Sequence, residues 1–356
     1  MSRHVVAVRP APSRRTVTAL AVLGALAVTA CGSSTPVSLS AKKSPTPKPP
    51  TPAPTAPPTP APTPVPPPVD GATYAAPALI TVENLNDARP QSGLQSANVV
   101  YEYSAEGGIS RFTAVYFSTP KGQVGPLRSA RLISPPLVNI WGGFLVYSGS
   151  SVYVNGRLVN QHIPRFDETS AGRDMFRLSS RFAPHNLYTD GSRVDDMVRR
   201  SARPAVHYQL WARSTTAPGG APVGGFTVPV SPSERPSYAW NAGLGGWVRT
   251  EPDTGTFLEA NTRKPLVAPT VVVMQVPARI NPNDIENGCC TAGWEYTMTG
   301  SGAAQVFTNG AEYDGTWNQG ASGPPTFTLA GGAAAPIASG LVWIEVVPTG
   351  QRAAAH

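Results

Sequence analysis

The stretch Val99-Val100-Tyr101-Glu102-Tyr103-Ser104-Ala105-Glu106-Gly107-Gly108-Ile109-Ser110-Arg111-Phe112-Thr113-Ala114-Val115-Tyr116-Phe117 decides how the chain is read. Two runs of branched and aromatic residues stand on either side of a Gly-Gly turn, which predicts strands over 99–103 and 112–117. Runs of the same kind at 78–82 and 144–147 predict two more. Ser134-Pro135-Pro136 predicts a helix start, with Ser134 as the cap and proline where its missing N–H costs nothing. Asp190 is predicted to cap a helix running to Arg200, along which Val194, Met197 and Val198 form an apolar stripe and Arg199 and Arg200 complement the negative end. Strands interspersed with a few helices predict an α+β or α/β N-terminal domain over 73–218.

Beyond a Gly/Pro/Ala-rich passage at 216–225 the strand signals become dense, at 226–230, 238–240, 247–249, 271–276, 305–308, 316–317 and 341–347. They predict a mainly β, largely antiparallel C-terminal domain over 226–348, followed by a short tail at 349–356.

Upstream, the composition changes character. Fifteen of the 40 prolines in this chain of 356 residues lie between Pro36 and Pro68, so residues 31–72 read as a disordered, Pro-rich tether that cannot pack a core. At ~3.1 Å per residue, such a spacer reaches on the order of 100 Å. Residues 1–30 carry a basic front (Arg3, Arg9, Arg14, Arg15) and an apolar run at 17–28, and the chain continues as Val28-Thr29-Ala30-Cys31-Gly32. This is the pattern of a lipoprotein signal peptide, with Cys31 as the residue that takes the lipid. The expected location is extracytoplasmic, lipid-anchored on the cell membrane.

The formal charge of +7 is unevenly spread. Residues 1–70 hold seven of the 28 Lys and Arg side chains and one of the 21 acids, so the remainder is nearly neutral. A nucleic-acid partner is therefore not expected. Of the 21 basic residues that remain, 19 are Arg, the planar donor suited to carboxylate and phosphate.

Several strings converge: Ala88-Arg89-Pro90-Gln91-Ser92-Gly93-Leu94, Glu106-Gly107-Gly108-Ile109-Ser110-Arg111-Phe112, Gly125-Pro126-Leu127-Arg128-Ser129-Ala130-Arg131, Ala183-Pro184-His185-Asn186-Leu187-Tyr188, and later Tyr238-Ala239-Trp240, Val248-Arg249 and Val342-Trp343-Ile344-Glu345-Val346-Val347-Pro348. Together they resemble the YerB-like family of bacterial lipoproteins, across nearly all of residues 77–348. The resemblance implies a two-domain envelope lipoprotein and assigns no reaction. Cys289-Cys290 and the string Ser148-Gly149-Ser150-Ser151 depart from the family pattern; the latter would be expected to be richer in glycine and to lead into a helix.

The candidate site lies in the N-terminal domain. Arg111, Arg128 and Arg131 are placed near strand ends, where they could form a fork for phosphate or carboxylate, with Ser129 and Asn186 beside them. Glu106 and His185 are the candidate proton-moving groups, and Ser129 becomes a nucleophile only with a base next to it. The arginines need partners, either Glu102 and Glu106 or an anion from outside. The ligand expected is an anionic cell-wall or glycan component held by a binding or scaffold module. The alternative is a hydrolase or transferase of cell-wall polymers using Glu106 or His185. A third expectation is a buried ion-pair network that only fixes the domain. No metal-ligand spacing, P-loop or Gly-x-Ser-x-Gly elbow is present, so neither metal nor cofactor is expected. Trp240, Trp247, Trp294, Trp317 and Trp343 read either as core or as sugar-stacking rings. Once Cys31 is lipidated, Cys289 and Cys290 form a vicinal ring, stay free or bridge to another chain.

Overall fold

The structure, a computed structural model, describes residues 72–208, 210–285 and 292–356. Cys31, the leader, most of the tether and Cys289-Cys290 lie outside the described residues. In chain order the elements that matter are β1 (Ala78–Glu83), β2 (Val99–Ser104), β3 (Ser110–Tyr116), α1 (Ser134–Trp141), β4 (Phe144–Val146), α2 (Val152–Asn160), β5 (Arg165–Phe166) and α3 (Gly191–Ser201). The second half adds β6 (Gly225–Thr227), β7 (Ser237–Asn241), β8 (Gly246–Glu251), β9 (Thr270–Val276), β10 (Gly300–Thr308), β11 (Ala311–Gln319) and β12 (Val342–Pro348). The N-terminal half is thus mixed α and β and the C-terminal half mainly strand. Among the described residues no helix is long and apolar enough to cross a membrane.

An 11-stranded sheet runs through both halves, in the order β11-β10-β9-β12-β2-β3-β1-β4-β5, with short strands at Ala221–Pro222 and Thr326–Leu329 also paired with β11. Pairing within the second half is mainly antiparallel, with one exception. β12 is parallel to β9 on one side and to β2 on the other, and β1, β4 and β5 are mutually parallel. Strands β9, β12, β2, β1, β4 and β5 therefore end on one edge, with β3 running against β1 and β2.

Alternation along the strands divides the core into two faces. Leu79, Tyr101, Tyr103, Val115, Val272 and Ile344 pack with α1 and α2 through Leu137, Ile140, Trp141, Val154 and Leu158. Ile80, Val82, Val100, Phe112, Val273 and Trp343 pack on the other face under Phe257 and under Phe226, Tyr238 and Trp247 of a second sheet, which contains β6, β7 and β8. Trp247, Trp317 and Trp343 are fully buried core, whereas Trp240 and Trp294 are half-buried.

The helix ends are set locally. Asp190 caps α3, accepting from the Arg193 N–H at 3.1 Å. Ser151 caps α2 by accepting from Val154 N–H at 3.1 Å, so the divergent 148–151 string does lead into a helix. Ser134 differs from expectation: it is the first residue of α1, and its hydroxyl accepts from the Arg131 N–H at 3.0 Å. With Pro135 and Pro136 in the first turn, α1 has two fewer orphan N–H groups to satisfy, and the serine side chain fastens the preceding loop instead.

Candidate anion site

The site forms where parallel strands end, the edge of an α/β sheet at which ligands commonly bind. Glu83 closes β1 and is the register partner of Arg111 at the start of β3. Arg111 is in turn opposite Tyr103 near the end of β2. By alternation all three face the helix-covered side. Glu106 stands in the turn between β2 and β3, where Gly107 and Gly108 take φ of 71° and 80°, a left-handed conformation that favours glycine. Ser231 and Ser233 of the C-terminal half donate their hydroxyls to the Gly108 carbonyl and so clamp this turn.

Arg128 and Arg131 arrive on a different segment. Past the end of the β1–β4 pairing, residues 126–128 take the vacated edge of β1: Glu83 N–H donates to Pro126 O and Arg128 N–H to Thr81 O, each at 3.0 Å. Gly125 permits the approach, since a Cβ there would lie 2.7 Å from a Tyr188 ring carbon. The 178–187 loop supplies His185 beside it.

Two carboxylates organise these cations. Glu106 takes Arg131 through both oxygens and Arg111 Nη2 at 3.3 Å, with Oε1 shared by the two guanidiniums. Glu83 takes Arg128 Nε at 2.8 Å and His185 Nδ1 at 2.9 Å. Side-chain exposure rises from Glu83 (0%) and Arg111 (2%) through Arg131 (6%), Glu106 (14%) and His185 (17%) to Arg128 (24%). Arg111 is the unusual member, because its Nε and Nη1 are buried without a hydrogen-bond partner. Burial, then the charge of Arg131, pull its pKa down to about 10, against the opposing pull of Glu106 and Glu83. For Glu106, burial pushes the carboxyl up, but the charge and hydrogen bond of Arg131 and the charge of Arg111 more than reverse this, holding it below the ordinary range.

Of the residues singled out from the sequence, Glu106, Arg111 and Arg131 meet directly, and Arg128 and His185 meet on Glu83, whose place in the site was not foreseen. Two others stand apart. Asn186 accepts from Arg177 at 2.8 Å and donates to the Leu178 and Arg181 carbonyls, which ties down its own loop. Ser129 is half-buried, and among the described residues neither a carboxylate nor an imidazole is hydrogen-bonded to it. Among the described residues no His, Cys, Asp and Glu cluster is arranged for a metal ion.

Glu102, offered as a partner for these arginines, serves another. It lies opposite Glu345 in the β2–β12 register, on the face away from the helices, and Arg249 of β8 enters between them. Arg249 reaches Glu102 at 2.7 Å, Glu251 at 2.7 Å and Glu345 at 3.1 Å, all fully buried. Its Cζ also lies 4.9 Å from the Trp343 ring centroid and 5.6 Å from that of Phe112. Burial, then the charge of Glu102, raise the Glu345 carboxyl well above its usual value. Glu234, bonded to Arg89 at 3.2 Å, is pushed up to about 8 by burial and by the charges of Glu251 and Glu102. Arg89 also pairs with Asp253 at 2.6 Å. A signal existed in the sequence: Glu345 is the lone charge in the apolar run 342–347, and a buried charge must be paired.

Comparison with known families agrees with this two-part organisation. Residues 63–205 match the N-terminal domain, and residues 226–344 the C-terminal domain, of a family described as Protein of unknown function (DUF3048). The chain belongs to this two-domain, YerB-like family. A Bacillus subtilis (strain 168) relative, YerB, named as a candidate lipoprotein, is 36% identical over 118 residues, covering 33% of this chain. That match spans 36% of the relative's own length. The crystal structure of Bacillus subtilis YerB is similar with a TM-score of 0.66 at 23% identity, covering 79% of this chain and 94% of that one, which shows a shared fold. Both members of the arginine–Glu106 pair lie in the DUF3048 N-terminal segment, and the serines clamping its turn lie in the C-terminal segment.

Proposed function

We propose that the chain is an extracytoplasmic lipoprotein, anchored to the membrane through a lipid on Cys31. Its N-terminal half binds an anionic wall component, and its C-terminal half supports the site. The likeness to YerB and the Val28 to Cys31 pattern support the anchor. One observation carries the binding role: Arg111, the most buried arginine of the cluster, reaches Glu106 through one nitrogen and keeps the other two unpaired. Buried N–H donors without an acceptor are costly unless an anion completes them.

The test is co-sedimentation of the full-length chain with purified wall sacculi, with and without their anionic polymers. Arg128→Ala, at the most exposed arginine, should keep the fold and weaken binding to complete sacculi about tenfold, the scale of one charge-assisted contact. Wild-type binding should weaken further as salt screens the cluster. Unchanged binding by a folded Arg128→Ala chain would contradict the reading.

A second reading, a hydrolase or transferase of wall polymers, draws on the His185 Nδ1 contact to Glu83 at 2.9 Å, a carboxylate that orients an imidazole and leaves Nε2 for a substrate. Glu106 fits it less well: held ionised by two arginines, it lacks the proton of a general acid near neutral pH.

A further inference from the structure

The first described strand, Ala72–Tyr74, pairs antiparallel with Val206–Tyr208, and Ala72 stands opposite Tyr208. The chain that follows Tyr208 lines an apolar groove. Leu210 and Trp211 border it together with Pro325, Phe327, Ala335 and Ile337, around a cavity of about 210 Å³. Trp211 is half-buried and held in place: its ring stacks on Phe327 with centroids 6.1 Å apart, and Nε1 donates to the Pro325 carbonyl at 2.7 Å. With the indole N–H already used, Trp211 offers a ring surface rather than a hydrogen bond. The cavity is smaller than the roughly 300–1,000 Å³ of small-molecule sites, so a narrow apolar segment suits it better than a cofactor-sized ligand.

The sequence supplies such a segment next to the groove. Immediately before Ala72 the chain reads Val65-Pro66-Pro67-Pro68-Val69-Asp70-Gly71. An antiparallel pair brings earlier residues of one strand against later residues of the other. Continuing the Ala72–Tyr208 register by three residues sets Val69 against Trp211, and by four sets Pro68 against Ala212. Three extended residues cover only about 10 Å. The three prolines bring no N–H that would need an acceptor among apolar side chains. A proline run is also pre-set to the polyproline II form that docks on aromatic-lined grooves. The N-terminal family segment opens at residue 63, ahead of this run. We propose that residues 65–69 dock in the groove against Trp211 and Phe327, so that the Pro-rich spacer is pinned to the body beside Trp211. A proline-rich stretch of another protein would have to displace a segment already held at an effective concentration on the order of 1 mM. This docking is independent of the arginine cluster.

The experiment is fluorine-19 NMR of the full-length chain in detergent, labelled with 5-fluorotryptophan, with the Trp211 resonance assigned by its loss in Trp211→Phe. Pro66→Ser, Pro67→Ser and Pro68→Ser, made together, lie upstream of the Ala72–Tyr208 pairing and should move the Trp211 resonance toward that of a solvent-exposed ring. Should the triple variant not fold, Pro67→Ser alone should move it in the same direction. A synthetic peptide of residues 63–70 should then return the resonance of the triple variant to its wild-type position. It should bind the triple variant about tenfold more tightly than wild type, the ratio expected when a segment at about 1 mM competes with a peptide of Kd about 0.1 mM. A Trp211 resonance identical in wild type and triple variant would overturn the docking, as would equal affinity of the peptide for the two, which would mark the groove as open to a proline-rich partner. A peptide that binds neither chain would overturn the choice of occupant. A wild-type resonance that moves on dilution to the triple-variant position would assign the segment to a second copy and overturn docking within one chain.

Discussion

At the scale of single residues, the chain tolerates buried charge only where partners converge from distant positions. Arg111 depends on Glu106 five residues away, but the geometry that unites them also needs Glu83, opposite Arg111 in register, and Arg128 from a loop beyond β3. Residue type was legible in the sequence: arginines near strand ends needed anions. Identity of partner was not, because Glu102 and Glu83 are equally plausible until strand register is known, and register is a non-local property. The buried acids give a pH prediction. Glu234 has a folded pKa raised to about 8, so the folded state binds the proton more tightly than the unfolded one. Its contribution to stability is complete below the ordinary carboxylate range and declines as pH rises toward 8, and Glu345 acts with the same sign. The melting temperature should therefore fall between pH 6 and pH 9, and Glu234→Gln should flatten that fall. A wild-type melting temperature that rises over this interval would contradict the assignment. Glu106 has the opposite sign, since its lowered pKa gives stability that is lost on acidification.

At the scale of elements, most strands and the helices α1 and α3 were legible from alternation, branched residues and turn signals. What was not legible is where β12 goes. Its apolar sequence reads as a strand buried on both faces, but nothing local says that it inserts between β9 and β2 rather than completing a sheet of its own half. The consequence is physical. Without β12, the β2 edge is unpaired, and Glu102 loses Arg249 as well. A buried carboxylate stripped of its cation costs roughly 3–5 kcal/mol. Residues 73–218 expressed alone should accordingly show no cooperative thermal transition by near-ultraviolet circular dichroism. A sharp, reversible transition from that fragment would show that the passage at 216–225 joins two independently folding units.

At the scale of the whole molecule, the composition separates a Pro-rich, basic leader and tether from a nearly neutral body, and within the body the two family segments share one sheet and both faces of its core. The arginine cluster sits at the carboxyl edge of that sheet with one turn fastened by the C-terminal half. The Arg249 cluster lies on the opposite face, and Asn84 and Ser110 bring the two close: each is adjacent in sequence to Glu83 or Arg111, and Ser110 Oγ donates to Glu102 at 2.6 Å while Asn84 donates to Ser110 at 2.8 Å. These bonds tie the two clusters together beside Arg111, whose Nε and Nη1 have no hydrogen-bond partner. The account stands or falls on those unpaired nitrogens. The direct measurement is the side-chain Nε–H resonance of Arg111 in the nitrogen-15-labelled full-length chain, followed during titration with inorganic phosphate. A saturable shift of that resonance is the predicted result; an Arg111 resonance that stays in place while phosphate binds, or that no phosphate concentration moves, would contradict it.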